Sequence, residues 1–403
     1  MLTLAFRNVF RQRLRTALTL AAISLGVGGL ILTGGFVEDV LVQLREATIH
    51  SQLGHIQIHK AGYSTLGRRD PYGYLMSDGR RIADLASQQP HVTSAMTRIE
   101  FSALLNNGRS DQPVLAEGIE ADREAQLGTL LSVVDGRALG DEDRFAVVLG
   151  QGVASGLRLK PGDYVTLLAS MPGGGLNSSD LEVVGTFRSF SKEYDDRAVR
   201  IPLRAAQALL ATEGAHTVVV VLDDTAKTDE VLANLRGQLP GSDHEVAPWY
   251  EVADFYQKTV ELYRGQFGVL QVIVLVMVLL GVANSVGTTL YERTGEFGTM
   301  LALGNRGRDI FWLAMTENLI LGLVGSALGG ALGVGIAWTV SAIGIPMPAL
   351  PNSEIGYTAM IRVSPTLAFV AMAIGTLATV LAAILPARRA ARLQIATALR
   401  RNV

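Results

Sequence analysis

Four long apolar runs constrain this chain more than any other feature of its sequence. They cover residues 16–37, 265–290, 310–343 and 364–386, and each reaches the roughly 17–25 residues that an α-helix needs to cross a bilayer. The first run is too long for a signal peptide and is followed by no small-residue cleavage site, so we expect it to be retained. A mean hydropathy of +0.30 agrees with membrane segments joined to a water-soluble part. The sequence therefore predicts an α-helical membrane protein with four transmembrane helices.

Arginines flank the first and last runs and predict the orientation of the chain. Those before the first run are Arg7, Arg11, Arg13 and Arg15, and those after the last are Arg388, Arg389, Arg392, Arg400 and Arg401. Because basic flanks stay in the cytoplasm, both termini are expected inside, with 38–264 and 344–363 outside and 291–309 inside. Because the whole chain has a net charge of only −2 while its two ends carry nine arginines, the outer part must be acidic. The small net charge also argues against nucleic acid as the main partner.

The two ends of the chain are expected to be basic cytoplasmic segments. Residues 1–15 place apolar residues at helical spacing among arginines, which predicts an amphipathic helix on the inner leaflet. The alternative is a basic flank that does no more than determine topology. Residues 387–403 are predicted to be a basic tail.

The long outer segment, residues 38–264, has the mixed pattern of an α+β domain inserted between the first and second spans. β-Branched runs predict strands at 55–63, 144–150, 163–170, 181–187 and 215–223, and helical spacing occurs at 80–90, 203–212 and 228–239. The first span is expected to continue as a helix to about residue 52, and the second to begin as a helix near residue 251. Two long helices would then carry the domain as rigid stalks.

Two histidines of the outer segment raise the possibility of a metal site. If residues 55–59 form a strand, His55, Gln57 and His59 share one face. With His50 nearby but no acidic residue close in sequence, a solvated strand face is favoured over a metal centre.

Two further motifs contain residue types that can carry chemistry. Asp195 and Asp196 are adjacent carboxylates, but no histidine, serine elbow or second acidic cluster lies near them, which favours a structural corner over acid–base catalysis. The glycine-rich residues 170–180 lack the GxxxxGK[ST] pattern of a phosphate-binding loop and are predicted to be a mobile hairpin loop. The chain has no cysteine, so thiolate catalysis is excluded. No enzyme active site, bound cofactor or metal is expected in this chain.

The third apolar run combines small residues with one acid. Gly325, Gly329 and Gly333 recur every four residues, which predicts close packing against another membrane helix. Glu317, near the inner end, is the only ionisable residue within the four runs. A proton-driven or ion-driven transporter is therefore not expected, because such proteins place several ionisable groups in the membrane.

The connector between the second and third spans, residues 291–309, is half apolar. A helix would place on one face, at spacing i, i+3, i+4 and i+7, the residues Phe297, Met300, Leu301 and Gly304. Glu292 and Glu296 stand one turn apart, and a basic partner surface would relieve their repulsion. Gly304 is placed to end the helix. The alternative, a helix lying on lipid headgroups, would prefer Lys or Arg to these glutamates.

Residues 282–310 resemble the characteristic block of the FtsX-like/MacB-type permeases of ABC transporters. The matching residues are Asn284, Glu292-Arg293, Glu296-Phe297-Gly298 and Ala302-Leu303-Gly304. Residues 4–19 and 386–400 resemble the family's N-terminal helix and C-terminal tail, with Gln394-Ile395 where Asp-Pro is more usual. In the outer segment, residues 114–124, 147–167 and 183–210 are most similar to permeases of the lipoprotein-releasing LolC/LolE type.

The resemblance implies a permease subunit of a bacterial inner-membrane ABC transporter with a MacB-like periplasmic domain. It implies a separate ATPase dimer that binds ATP and Mg²⁺, a second permease copy or paralogue, and extraction of lipoproteins or lipids towards a periplasmic carrier. The alternatives are a MacB-like efflux subunit and an FtsX-like transmitter that regulates a periplasmic partner.

In this interpretation the connector is the coupling helix that meets the ATPase. The residues that the resemblance assigns to this role are Glu292, Arg293, Glu296, Phe297, Gly298, Met300, Leu301 and Gly304. Residues 171–180 and 344–352 are the candidate contacts with a carrier.

Overall fold

The computed structural model describes residues 13–67, 69–127, 131–140, 142–189, 191–348 and 356–392. Most of the amphipathic helix predicted over 1–15, the tail beyond 392 and part of the candidate carrier contact over 344–352 lie outside these residues. The chain divides into two compact units. We call the first, Met1–Val42, Val260–Met347 and Thr358–Val403, the membrane unit, and we call Gln43–Thr259 of the second the outer domain.

The secondary structure alternates short elements with four long helices. The helices are α1 Arg13–Thr48, α2 Tyr63–Leu66, α3 Gly79–Ser87, α4 Ala121–Glu124, α5 Gln151–Leu157, α6 Lys192–Asp195, α7 Leu203–Leu210, α8 Thr228–Gln238, α9 Trp249–Val252, α10 Asp254–Glu292, α11 Thr294–Ala302, α12 Gly307–Ile343 and α13 Pro365–Ala391. The strands are β1 Ile56–Lys60, β2 Val92–Asn106, β3 Asp111–Ile119, β4 Ser132–Gly136, β5 Ala146–Gly150, β6 Tyr164–Ser170, β7 Leu176–Arg188, β8 Ala198–Pro202, β9 Thr217–Leu222, β10 His244–Pro248, β11 Ile345–Met347 and β12 Tyr357–Ala359.

The membrane unit contains the four predicted spans. Within α1, α10, α12 and α13 lie the four described stretches that are long and apolar enough to cross a bilayer, which confirms the predicted architecture. The predicted continuations are also present, since α1 runs on to Thr48 and α10 begins at Asp254. At the start of α13 the Ser364 hydroxyl accepts a hydrogen bond from the Leu367 N–H at 3.1 Å, and Pro365 occupies the first turn.

The outer domain is built on a ten-stranded sheet. Nine of its strands follow the order β10-β1-β9-β2-β3-β8-β5-β7-β4, and the tenth, β6, lies off this path. The first four strands form an antiparallel layer that packs its apolar face on α3 and α8, around Ile58, Ile82 and Val231. In the second half, β6 pairs with both β2 and β7, so that β2-β3-β8-β5-β7-β6 closes into a ring. The strand β2 is 15 residues long and belongs to both halves.

The two halves have separate apolar cores, and β2 contributes to both of them, with Ala95 in one and Ile99 and Phe101 in the other. The ring is filled by side chains such as Phe101, Leu167 and Val199, each at most 2% exposed.

All five predicted strands and all three predicted short helices of the outer segment are present at their expected positions. The glycine-rich residues 171–175 form the turn between β6 and β7, as predicted for a hairpin, with Ser170 opposite Leu176.

A cluster of buried charges lies on β2 and its neighbours β3 and β8. The Arg200 Nε donates to Glu117 Oε2 at 3.1 Å, and Arg98 forms an ion pair with Glu124. Glu100, which is half-buried, stands directly opposite Glu117 in the β2/β3 ladder. Burial, followed by the negative charge of Glu117, raises the pKa of Glu100 to about 7.

Replacing Glu100 by glutamine is expected to stabilise the protein at pH 8 and to change little at pH 5. A carboxyl whose pKa is raised on folding binds more protons in the folded state, so the free energy of unfolding falls as pH rises from about 4.5 to about 7. Glutamine cannot ionise and avoids this loss, which we expect to be about 1 kcal/mol for a half-buried group. The difference in stability between variant and wild type is measured by thermal unfolding of the full chain in detergent at the two pH values. Glu182→Gln, at an exposed position of β7, is the matched control, and an equal shift in both variants would contradict the assignment.

Candidate functional site: the connector and the helix contacts of the membrane unit

The connector begins with a buried ion pair. Arg293, directly after α10, donates from Nη1 to Glu317 Oε2 of α12 at 2.6 Å. Both side chains are only 9% exposed. The Arg293 Nε also donates to Glu296 Oε2 at 2.9 Å, and its guanidinium lies 5.1 Å from the centre of the Phe297 ring. One arginine therefore joins the end of α10, the helix α11 and the span α12.

This ion pair was not predicted from the sequence. Glu317 was noted as an isolated acid within a span, and Arg293 as part of a motif, but nothing in their separation of 24 residues pairs them. The available signal was chemical: a carboxylate within an apolar run needs a cation, and the first arginine after the second span is a candidate. Removing one member of such a pair leaves an uncompensated buried charge, typically a loss of about 3–5 kcal/mol.

The apolar side of α11 faces its own membrane unit. Phe297 is completely buried, in a cluster that includes Ile310 and Ala314 of α12, and Met300 and Leu301 pack on the same cluster while half-buried. The expectation that this face is offered to a partner groove is therefore wrong for Phe297. The spacing identified the apolar stripe of the helix correctly, but the neighbouring spans cover it.

The charges of α11 also have a different explanation from the one predicted. Glu296 is paired with Arg293 within the chain, so a basic partner is not needed to relieve its repulsion with Glu292. The side chain of Glu292 is exposed, as are Thr299 and Ala302, whereas Gly298 is buried.

The end of α11 turns sharply and leaves an exposed tip. Gly304 has φ +96°, its N–H donates to Leu301 O at 3.1 Å, and the Asn305 N–H donates to Met300 O at 3.1 Å. These two bonds form a Schellman motif, so the predicted role of Gly304 in ending the helix is confirmed. Leu303 is 81% exposed, and we call residues 303–306 the tip.

The glycines of α12 lie against α1. Gly325 is next to Ile23, Gly329 next to Ser24 and Gly333 next to Gly28. A Cβ atom on Gly329 would lie 2.7 Å from the carbonyl oxygen of Ser24, and the Ser24 hydroxyl donates to Gly325 O at 2.9 Å. At Gly329 the two backbones approach too closely for any side chain, and such close approach at small residues stabilises pairs of membrane helices.

A second buried acid holds the opposite end of α1. Asp39 is 0% exposed, and its carboxylate accepts hydrogen bonds from Arg362 Nε at 2.7 Å and from the Met360 N–H at 2.9 Å. The Arg362 N–H donates to Gly35 O at 3.0 Å. The segment before α13 is thus attached to α1 by charge and by backbone, an arrangement that sequence reasoning missed.

The span α10 is the least covered of the four. Only 11% of its most apolar stretch is buried, against 44% for α1. Exposed large side chains run along it, including Val269, Val272, Val276 and Leu280, and its glycines 265, 268, 281 and 287 have open space beside them.

The motifs of the outer domain have structural roles. His55, Gln57 and His59 are buried, so the predicted solvated face is wrong. The Tyr63 ring stacks on the His59 ring with centroids 4.6 Å apart, and the His55 Nε2 lies 3.1 Å from the Thr225 hydroxyl. Burial lowers the pKa of His55 and of His59 to about 4, which leaves both rings neutral at pH 7.

The carboxylate predicted to stand at a corner also has a structural partner. Asp195 accepts hydrogen bonds from the Ser189 N–H at 2.9 and 3.0 Å. Among the described residues, no group of three or more histidine and acidic side chains is arranged to hold a metal ion.

Comparisons with known protein families cover nearly the whole chain. The family model of the MacB-like periplasmic core domain matches residues 16–238, and that of the FtsX-like permease C-terminal region matches residues 268–395.

Among curated relatives, the macrolide export ATP-binding/permease protein MacB of Hyphomonas neptunium is 25% identical over 98% of this chain and 60% of its own length. The lipoprotein-releasing system transmembrane protein LolC of Xylella fastidiosa is 24% identical over 98% of this chain and 95% of its own length. The chain spans about 60% of the length of the MacB relatives that it matches. The periplasmic region of MacB from Actinobacillus actinomycetemcomitans aligns with 54% of this chain and 98% of that structure at 16% identity, with a TM-score of 0.39.

Proposed function

The chain belongs to the family of FtsX-like ABC transporter permeases that carry a MacB-like periplasmic core domain, and we propose that it extracts lipoproteins or lipids from the inner membrane. The observation that carries this proposal is the similarity to LolC, which runs over nearly the whole length of both chains, whereas the similarity to MacB covers 60% of that protein. The chain itself would hold no nucleotide. ATP and Mg²⁺ would be bound by a separate ATPase dimer.

The tip is the proposed contact with that ATPase. Leu303 is exposed at the turn after α11, while Phe297 and Arg293 hold the base of α11 onto α12. A push on the tip would therefore act on the inner ends of α10 and α12 together, since the ion pair joins them. The long helices α1 and α10 would pass this movement to the outer domain, so that the substrate is lifted from the outer leaflet without crossing the bilayer.

A second permease subunit, either a copy of this chain or a paralogue, would cover α10. The exposed aliphatic side chains of α10 and its open glycines support a membrane contact there, because small residues permit close helix approach. The hairpin turn 171–175 and the loop after α12 are proposed contacts with a periplasmic carrier. Both termini would be cytoplasmic.

Two other functions have support of their own. The similarity to MacB supports a subunit that drives efflux from the periplasm, and the FtsX-like C-terminal match supports a transmitter that regulates a periplasmic partner. Purification of the full chain with its cognate ATPase, followed by mass spectrometry of bound molecules, distinguishes the three. Bound triacylated lipoprotein supports extraction. Repeated absence of lipoprotein together with a bound membrane-fusion protein, or with a peptidoglycan hydrolase, would refute it.

Replacing Leu303 by aspartate is expected to prevent association with the ATPase while leaving the permease folded. The side chain is 81% exposed, so the substitution removes no contact of the chain itself. We expect at least a tenfold loss of ATPase recovered by co-purification, the size typical of one central interface residue, with an unchanged thermal unfolding temperature. Leu323→Asn, on the exposed face of α12 away from the tip, is the control. Equal recovery with wild type and with Leu303→Asp would place the ATPase contact elsewhere.

A further inference from the structure

Five exposed arginines meet at one end of the α12–α13 pair. Arg306 and Arg308 lie at the start of α12, and Arg388, Arg389 and Arg392 at the end of α13. The two helices are antiparallel neighbours, and Gly307 lies so close to the carbonyl oxygen of Ala391 that a side chain there would overlap it. We call these five arginines the basic rim.

One acidic residue, Asp309, lies beside the basic rim in sequence, and the five arginines outnumber it. Asp309 accepts a hydrogen bond from the Arg306 N–H at 2.9 Å and so serves as the cap of its own helix. In the connector, the acidic residues Glu292 and Glu296 precede Gly304, and the basic residues Arg306 and Arg308 follow it. The connector therefore presents two chemically different surfaces, one on each side of Gly304.

Below the basic rim, each helix carries an exposed stripe that changes from charged to apolar. On α12 the stripe consists of Arg308, Trp312, Leu319 and Leu323, at positions i, i+4, i+11 and i+15. Trp312 is 53% exposed and Leu323 is 55% exposed. On α13, which runs in the opposite direction, positions i, i−4, i−7, i−11 and i−15 are Arg392, Arg388, Leu385, Leu381 and Leu377. Tryptophan is the residue that prefers the boundary between headgroups and acyl chains.

We propose that the basic rim binds the phosphate headgroup of an anionic phospholipid whose acyl chains lie along the exposed stripes of α12 and α13. On α12 the order of arginine, tryptophan and leucine follows the order of phosphate, glycerol and acyl chain in such a lipid, and on α13 arginines precede leucines in the same sense. Basic residues at the cytoplasmic end of membrane helices attract anionic headgroups. A soluble phosphate would match the arginines but not the leucines beneath them, and an acidic protein surface would not use the stripes. The proposal goes beyond the transport function and shares with it only the inward orientation of this end.

Quenching of Trp312 by brominated lipids tests the proposal on the full chain. The chain has three tryptophans, and the variant Trp249→Phe/Trp338→Phe leaves Trp312 as the single reporter. Reconstituted in vesicles, it is titrated with brominated phosphatidylglycerol or brominated phosphatidylcholine. At low salt we expect phosphatidylglycerol to bind about fivefold more strongly than phosphatidylcholine, since one cation at an anionic surface contributes about this factor. Millimolar inorganic phosphate or ATP should leave the preference unchanged, whereas high salt should reduce it.

Variants then locate the binding to the basic rim. Arg308→Gln/Arg389→Gln should lose most of the preference, and Arg308→Lys/Arg389→Lys should keep it along with the topology. Arg80→Gln/Arg204→Gln, at exposed positions of the outer domain, should behave as wild type. Protease accessibility of the outer domain checks that each variant is inserted in one direction.

Three results would overturn the proposal. The first is equal quenching of Trp312 by the two lipids in wild type, and the second is displacement of bound phosphatidylglycerol by free phosphate. The third is an unchanged preference for phosphatidylglycerol in Arg308→Gln/Arg389→Gln, accompanied by loss of ATPase co-purification. The last result would assign the basic rim to the ATPase contact. Because the quenching is measured without ATPase or cargo, its outcome is independent of whether the transported substrate is a lipoprotein.

Discussion

Replacing Arg293 by alanine is expected to abolish ATP-driven activity and to lower the thermal unfolding temperature of the membrane unit. The substitution leaves Glu317 buried in α12 without its cation, and breaking a buried pair in this way typically costs about 3–5 kcal/mol. It also releases the base of α11, because the same guanidinium holds Glu296 and lies over the ring of Phe297. A push on the tip would then bend the connector instead of moving α10 and α12.

The companion variants separate a structural role from a coupling role. Arg293→Met/Glu317→Met removes both charges, and it should recover most of the thermal stability because no buried charge is left unpaired. If the ion pair couples the tip to the spans, substrate stimulates the ATPase activity of this double variant less than that of wild type. Arg264→Ala, at an exposed position of α10, is the matched arginine control. Wild-type stability and activity of Arg293→Ala in proteoliposomes would show that the ion pair has neither role.

Replacing Gly329 by leucine is expected to separate α12 from α1 and to prevent accumulation of folded permease. A Cβ atom there would lie 2.7 Å from the carbonyl oxygen and 2.8 Å from the Cα of Ser24. Both are backbone atoms, so no side-chain rotation can relieve the overlap, and one whole helix must shift. We expect a loss of about 3 kcal/mol, the upper part of the usual range for overpacking.

The same helix offers a close control for this prediction. Gly335 has nothing within 4 Å of its would-be Cβ atom, so Gly335→Leu should give wild-type yield and unfolding temperature. Gly329→Ala should have a yield and an unfolding temperature between those of Gly329→Leu and Gly335→Leu. Yield after size-exclusion chromatography and the thermal unfolding temperature are the measurements. If Gly329→Leu and Gly335→Leu behave alike, the close approach of α1 and α12 is not maintained in the membrane.

Local patterns predicted the four spans, three short helices and five of the twelve described strands, because the signals of these elements lie within a few neighbouring residues. The strands at 144–150 and 215–223 are present where β-branched runs predicted them, and the helix-ending turn at Gly304 is present because a left-handed position favours glycine. The closure of the ring through β6 was not predicted, since pairing between distant strands has no local signature.

The candidate site shows where such patterns become ambiguous. The spacing of Phe297, Met300 and Leu301 predicted an apolar stripe correctly, but a stripe can be covered by lipid, by a partner or by the chain itself. In this protein its own spans cover Phe297. The histidine face of β1 was misjudged for the same reason, because alternation reveals that residues share a face without revealing what packs on it.

By itself, the sequence determined the four spans, the inserted domain, the absence of disulfides and the glycine stripe of α12. Each of these follows from length, composition or a period of a few residues. The tertiary structure alone decided that Arg293 meets Glu317, that Asp39 meets Arg362 and that Gly329 meets Ser24. These partners are 24, 323 and 305 residues apart, and the free energy of such contacts depends on helix packing that no local pattern encodes.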